Sequence, residues 1–335
     1  MEVLSRVHAY NLVKWAKDKP KVLVMSADLT SSTEIDLFRD EYPERFISAG
    51  IAEQNMMSAA AGLSREGFVP FVHTFAVFIY RRAYDQVAMS IAYSNLPVKM
   101  FGFLPGITTP GGATHQAIED VALMRSLPNM TVIDCGDATE VETILDPVMA
   151  VDGPVYVRMI RGDIPRLFDK SEPFVLGKNR LLSSGNDLVI VSSGICTEEA
   201  IKTVTALKSK GMSVCHYHVS TLKPFNAKNI LESISASKYG VITVENHTVM
   251  GGLGTIVSEA MAETGTPKII EKLGLQDKFP HGASKKYLMK EYGFDAMSIV
   301  ASAEKLSGKS LGITENDLKQ VDIKPMHSHM KAEDL

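Results

Sequence analysis

The stretch FISAGIAEQNMMSAAAGLSREGFVPFVHTF, residues 46–75, decides the fold. It begins as a short apolar strand, turns at Gly50, and continues as an alanine-rich helix that ends near Gly67. FVPFVHTF (68–75) then reads as a buried strand. A strand–helix–strand unit with continuously apolar strands belongs in a parallel sheet covered on both faces.

The same grammar extends both ways. Upstream, KVLVMSAD (21–28) is an apolar strand ending in a polar turn, and residues 2–17 read as an amphipathic helix. Downstream, a helix is expected through Tyr84 to Tyr93, and VKMFGF (98–103) and MTVIDC (130–135) are strands. The second half repeats the alternation, with strands in NDLVIVSSG (186–194), MSVCHYHV (212–219) and YGVITVEN (239–246) and helices in 197–211 and 251–265. The fold class is therefore α/β, with two α/β domains. Residues 161–185, rich in proline, glycine and charge, mark the boundary. We expect a first domain over 1–165, a linker over 166–184, a smaller domain over 185–320 and a polar tail over 321–335. His327 and His329 read as part of that tail, not as metal ligands.

Composition narrows the function. The 335 residues are 45% hydrophobic and 22% charged, with a net charge of −4, so nothing favours nucleic acid or an anionic membrane. Cys135, Cys196 and Cys215 are widely spaced and match no zinc or disulfide pattern. The N-terminus carries no apolar secretory core, and no run is long enough to span a bilayer, so a cytoplasmic protein is expected.

Three segments carry chemistry. GIAEQNM (50–56) places Glu53 at a strand-to-helix turn, where the helix dipole favours a carboxylate. HTFAVFIYRRAYDQV (73–87) sets Phe75 and Phe78 three apart at the start of a helix. GGATHQAIEDVALMRSLPNMTV (111–132) puts His115 among small and polar residues, an unusual place for a core histidine. Singly, the first two have structural readings: a helix-terminal charge and a core aromatic pair.

Together, their order and spacing resemble the transketolase family, including the related deoxyxylulose-phosphate synthases. The matching segments are Gly50-Ile51-Ala52-Glu53, Thr74-Phe75-Ala76-Val77-Phe78, Thr114-His115-Gln116, and Leu123-Met124-Arg125 through Pro128-Asn129-Met130, with SADLTSS (26–32) as a further match. The resemblance runs from about Arg6 to Leu306. It implies a pyrimidine-binding domain for thiamine diphosphate, followed by a transketolase C-terminal domain. It also implies roles. Glu53 would contact N1′ of the aminopyrimidine and is expected to be buried. Phe75 and Phe78 would flank that ring, and Asp28 and Leu29 would lie by the thiazolium. His115 would bond substrate oxygens and move protons. Arg161, aided by Arg6 and Ser32, would bind the distal anion.

Thiamine diphosphate enzymes also need a Gly-Asp-Gly element with an asparagine further on, to hold metal and diphosphate. RGDI (161–164) and CGDA (135–138) are the nearest approaches, and GGLG (251–254) reads as a structural turn. In full-length members the diphosphate domain precedes the segment found here. The resemblance thus implies a separate partner subunit that ligands Mg²⁺ or Ca²⁺, a large apolar interface and a heterotetramer. Departures bear on substrate. Gly111 stands where family members carry an aspartate, Phe103 near a phosphate-binding histidine of ordinary transketolases, and His73 where serine or tyrosine is usual. Those changes point to an atypical donor, such as apulose 4-phosphate or 6-deoxy-6-sulfofructose. Alternatively, His73 or the partner restores the contacts of an ordinary transketolase. Two further readings are the β subunit of a 2-oxoacid dehydrogenase E1 component and a non-catalytic scaffolding subunit.

Overall fold

A computed structural model describes residues 1–326. His327 and His329 lie outside the described residues. The strands are β1 (Val3–Ser5), β2 (Val22–Ser26), β3 (Phe46–Ser48), β4 (Val69–Phe75), β5 (Lys99–Phe103), β6 (Thr131–Asp134) and β7 (Val155–Met159). They continue with β8 (Asp163–Pro165), β9 (Arg180–Ser183), β10 (Leu188–Ser192), β11 (Val214–His218), β12 (Thr221–Lys223), β13 (Val241–Thr248) and β14 (Ile270–Leu275).

Seven strands form the first sheet in the order β12-β6-β7-β5-β4-β2-β3, and five form the second in the order β14-β13-β10-β11-β9. All pairings within these two sheets are parallel except β12 with β6 and β11 with β9. Every residue of β2, β5 and β7 is buried, as a strand covered on both faces requires. The helix Glu53–Arg65 buries Met56, Met57, Ala60 and Ala61 against this sheet. Each methionine contributes roughly 1.5–3 kcal/mol relative to exposure.

Three expectations change. Residues 2–17 are not one helix. Val3–Ser5 pairs antiparallel with Asp163–Pro165, Arg6 turns at φ 54°, and only Val7–Ala16 is helical. The boundary segment is not merely a linker, because Arg180–Ser183 within it closes one edge of the second sheet. The helix expected from about Phe75 through Tyr93 is not a regular α-helix: it is π-helical over Phe78–Arg82 and again over Gln86–Ala92. Such turns are rare and concentrate at functional sites.

The two halves are tied by more than chain continuity. Thr221–Lys223, from the second half, adds an edge to the first sheet. Arg158 on β7 is 1% exposed and forms the hub of a buried network. It donates to Asp120 (Nε–Oδ2 2.8 Å), to Asp134 (Nη1–Oδ2 3.0 Å) and to the Asn246 carbonyl on β13 (2.9 Å). The Tyr156 hydroxyl also donates to Asp120, at 2.7 Å.

Candidate active site

In an open parallel sheet, ligands bind beyond the carboxyl ends of the strands. The expected site residues gather on that edge of the first sheet. Asp28 and Leu29 follow β2, Glu53 follows β3, Phe75 and Phe78 close β4, His115 lies in the long connection after β5, and Arg161 follows β7.

Gly50, at φ 69°, turns the chain out of β3, and Glu53 becomes the first residue of the next helix. Its side chain is 1% exposed. A buried carboxylate needs a donor, and Arg82 supplies it, Nη1 to Oε2 at 2.7 Å. The same guanidinium lies 4.4 Å from the centroid of the Phe78 ring. The Phe75 and Phe78 rings are 5.9 Å apart with 23° between their planes. The His115 imidazole meets both edge-on, at 5.6 Å from Phe78 and 6.4 Å from Phe75. One ring nitrogen, Nδ1, is 2.9 Å from the Thr114 hydroxyl.

The His115 loop is braced from two sides. Arg81 donates to the Ala113 carbonyl at 2.7 Å and to both oxygens of Glu119 at 2.8 Å. The Gln116 amide donates to the His281 carbonyl of the second half at 3.2 Å. The adjacent arginines on the Phe78–Arg82 turn thus serve different partners, one the acid and one the histidine loop. Sequence reasoning missed both, because Arg82 lies 29 residues from Glu53 in the chain and no local signal joins them.

At the other end of the edge, the Arg161 guanidinium donates to the Ser32 carbonyl at 2.9 Å and lies 5.9 Å from the Phe75 ring. Arg6 pairs with Asp36 at 2.5 Å. Its backbone N–H donates to the Gly162 carbonyl, and the Gly162 N–H donates to Glu34. Asp28 is exposed at φ 58°, and the Leu29 N–H donates to the Ser26 hydroxyl at 3.2 Å.

His73 is placed elsewhere. It is wholly buried, 3.0 Å from His8 (Nε2 to Nε2), and stacked on Phe101 at 4.8 Å with 7° between planes. It lies two residues back from Phe75, on the same face of β4, and its ring packs in the core against His8 and Phe101. Burial lowers both histidines' pKa, that of His8 to about 3. Phe103 closes over His8, with ring centroids 5.6 Å apart. Gly111 is exposed, and a Cβ there would sit 3.1 Å from the Cβ of His115.

The glycine turn 251–254 opens the helix Leu253–Glu263, but the N–H groups of Gly251, Leu253 and Gly254 are already taken, the first by the Thr255 hydroxyl. Glu245 accepts from Leu253 at 2.6 Å and from Gly254 at 2.9 Å. Burial raises the pKa of that carboxyl to about 7.

Residues 5–166 match the transketolase pyrimidine-binding domain, and residues 177–299 match the transketolase C-terminal domain. The chain is 37% identical to the 6-deoxy-6-sulfo-D-fructose transketolase subunit SqwH of Clostridium sp., over 88% of this chain and 92% of that protein. The chain belongs to the transketolase family. It is also 31% identical to an apulose-4-phosphate transketolase subunit of Actinobacillus succinogenes, over 91% of this chain and 99% of that one. A solved structure described as a split gene transketolase, inactive beta4 tetramer, superposes with a TM-score of 0.82 at 38% identity, covering 90% of this chain and 97% of that chain. The transketolase of Campylobacter jejuni shares the fold, with a TM-score of 0.76 at 20% identity, and this chain spans 47% of it.

The protein is thus a transketolase-type subunit of the thiamine-diphosphate-dependent class. Its open edge fits the aminopyrimidine of that cofactor: two nearly parallel phenyl rings, a buried carboxylate beside them and an imidazole across them. The diphosphate half finds no such counterpart at the glycine turn, where Glu245 fills the cradle. Among the described residues no group of three His, Cys, Asp or Glu side chains could hold a metal, and no helix is long and apolar enough to cross a membrane. Among the described residues, concavities of about 200, 350 and 490 Å³ have linings without Glu53, Phe75, Phe78 or His115, and Arg161 and Gly162 line the one of about 350 Å³.

Proposed function

We propose that this chain is the pyrimidine-side half of a two-chain transketolase, moving a two-carbon ketol unit from a ketose to an aldose phosphate. The observation that carries the reading is the Glu53–Phe75–Phe78–His115 constellation on an open sheet edge, outside any of those three concavities. A partner chain would close it, supplying the diphosphate site and the ligands for Mg²⁺ or Ca²⁺. The assembly would be a cytoplasmic heterotetramer. Residues 1–165 would form the cofactor-facing domain and 185–320 the domain that mainly builds the interface.

When bound, thiamine diphosphate supplies the electron sink that lets the donor's C2–C3 bond break. This chain's residues orient the reactants and move protons. Glu53 would hold a proton at the pyrimidine N1′, with Arg82 fixing the carboxyl's direction. Phe75 and Phe78 would bracket the ring, while Asp28 and Leu29 would border the thiazolium. His115 would bond the donor's hydroxyl and carbonyl oxygens and carry the proton leaving the C3 hydroxyl. Arg161, with Arg6 and Ser32, would hold the distal anion.

The donor would be atypical, a sulfosugar or branched ketose phosphate, because Gly111, beside His115, offers no side-chain hydrogen bond. Relatives described as acting on such sugars support this. The test is to assemble the chain with its diphosphate-side partner and assay ketose donors with thiamine diphosphate and Mg²⁺. Turnover only in the mixture, abolished by Glu53→Ala, is expected. Full activity of this chain alone, or decarboxylation of 2-oxoacids by the mixture, would overturn the reading.

A further inference from the structure

The lip of the site between Ser31 and Asp36 carries more negative charge than a receptor for a doubly charged anion should. Arg161 donates to the Ser32 carbonyl, and Arg6 is neutralised by Asp36 at 2.5 Å. Glu34 lies between Ser32 and Asp36 in the chain. It is 4% exposed and accepts from the Gly162 N–H at 2.8 Å through Oε1, while its other oxygen, Oε2, is buried without a partner. Burial raises the pKa of its carboxyl, and the Gly162 N–H and the Arg6 and Arg161 guanidiniums oppose that rise. Glu34 is also held at φ 56°, as Arg6 is at φ 54°. Left-handed backbone at non-glycine residues costs of order 1–3 kcal/mol, and such outliers cluster at ligand clamps.

Counted together, two guanidiniums face two carboxylates, so the lip is close to neutral before any ligand arrives. A phosphate monoester brings close to two negative charges above its second pKa of about 6. A sulfonate presents three oxygens in a similar arrangement with only one charge. Against a lip near neutrality the second charge of the dianion gains no net attraction, while taking it out of water costs more than for the monoanion.

We infer that Glu34 and Asp36 tune the distal subsite to a monoanionic terminus, so that a sulfonate-ended ketose is preferred over its phosphate-ended counterpart. This rests on the reading of Arg6 and Arg161 as the distal anion site. Glu34 acts as a positioning and charge-setting residue: it clips the Gly162 turn that carries Arg161 and offsets one positive charge. The same lip must also pass an aldose phosphate acceptor, so the discrimination is a ratio and not an exclusion.

The test uses the assembled two-chain enzyme at pH 8 and a matched donor pair, 6-deoxy-6-sulfofructose and fructose 6-phosphate. Both kcat/KM and calorimetric Kd are measured. The wild type should favour the sulfonate. Glu34→Gln keeps an oxygen for the Gly162 N–H and removes the charge, and it should shift the phosphate-to-sulfonate ratio about tenfold toward phosphate. Asp36→Asn should shift the ratio in the same direction, and it carries the test if the first variant folds poorly. A wild type that favours the phosphate, ratios unmoved within twofold in both variants, or no binding of either sugar would overturn the inference. Binding with the expected ratios but no turnover would instead defeat the proposed function and leave the charge selection standing.

Discussion

Two polar clusters in this chain are built from the same side-chain types and behave differently. Around Arg158 the acids are internal, the guanidinium is bonded on three sides, and nothing is left for a ligand. Around Glu53 the acid is equally buried, but its guanidinium partner, Arg82, is 41% exposed, and the flanking rings stand at an open edge. A saturated network fixes how the two halves meet. A half-solvated one leaves a buried charge whose surroundings can still change, which is what proton handling needs.

The contrast is broken most severely at Glu53. Glu53→Gln should lower kcat of the assembled enzyme by about 10²–10⁴-fold. Stability should barely move, because Arg82 returns to water and the lost pair is only partly buried; the cost is under about 1 kcal/mol. Paired turnover and thermal-melt measurements check both halves. Activity within tenfold of wild type would remove Glu53 from the chemistry.

Arg158→Met should do the reverse. It strands Asp120 and Asp134 as buried acids without their cation, which costs about 3–5 kcal/mol. Denaturant unfolding should show that loss, while enzyme that remains folded keeps most of its turnover. A variant as stable as wild type would mean that the network is dispensable.

A pH-dependent effect marks the two buried histidines. His8 and His73 have pKa values far below the usual 6.5 because burial disfavours the charged ring. A depressed histidine contributes stability that is complete above about pH 6.5 and is lost as the pH falls, since only the unfolded chain takes up the proton. His8→Leu/His73→Phe should therefore flatten the fall in stability between pH 6.5 and 4.5 relative to wild type, by up to about 2–3 kcal/mol per pH unit. Denaturant midpoints across that range measure it. Parallel slopes would mean that the pair titrates normally in the fold.

The sequence was legible where one residue type had one job. Apolar runs such as Val22–Ser26 could only be covered strands, and the Gly50 turn announced Glu53. Illegible were features set by partners distant in sequence. Val3–Ser5 joins a strand only because Asp163–Pro165 lies alongside it, and Thr221–Lys223 crosses to the first sheet although its neighbours lie in the second. The same holds within the site. Motif spacing brought Phe75, Phe78 and His115 together, but nothing local said that Arg82 faces Glu53 or that Glu34 faces Gly162. Alternation along β4 says which face His73 takes, but not that its partners there are His8 and Phe101.

The smallest effect concerns Gly111, and it decides whether the open edge is tuned or merely vacant. Its backbone is not left-handed, so an aspartate is conformationally allowed. The added Cβ would sit 3.1 Å from the His115 Cβ and 3.3 Å from the Thr109 hydroxyl, so His115 must yield by a few tenths of an ångström. Gly111→Asp should then offer a donor hydroxyl one further hydrogen bond, worth about 1 kcal/mol net. KM for xylulose 5-phosphate should fall severalfold, while donors without a matching hydroxyl lose kcat/KM, because the new carboxylate is left unpaired against them. If instead every donor loses kcat alike, the aspartate has only displaced His115. Glycine at this position would then be serving the histidine's placement and not the choice of sugar.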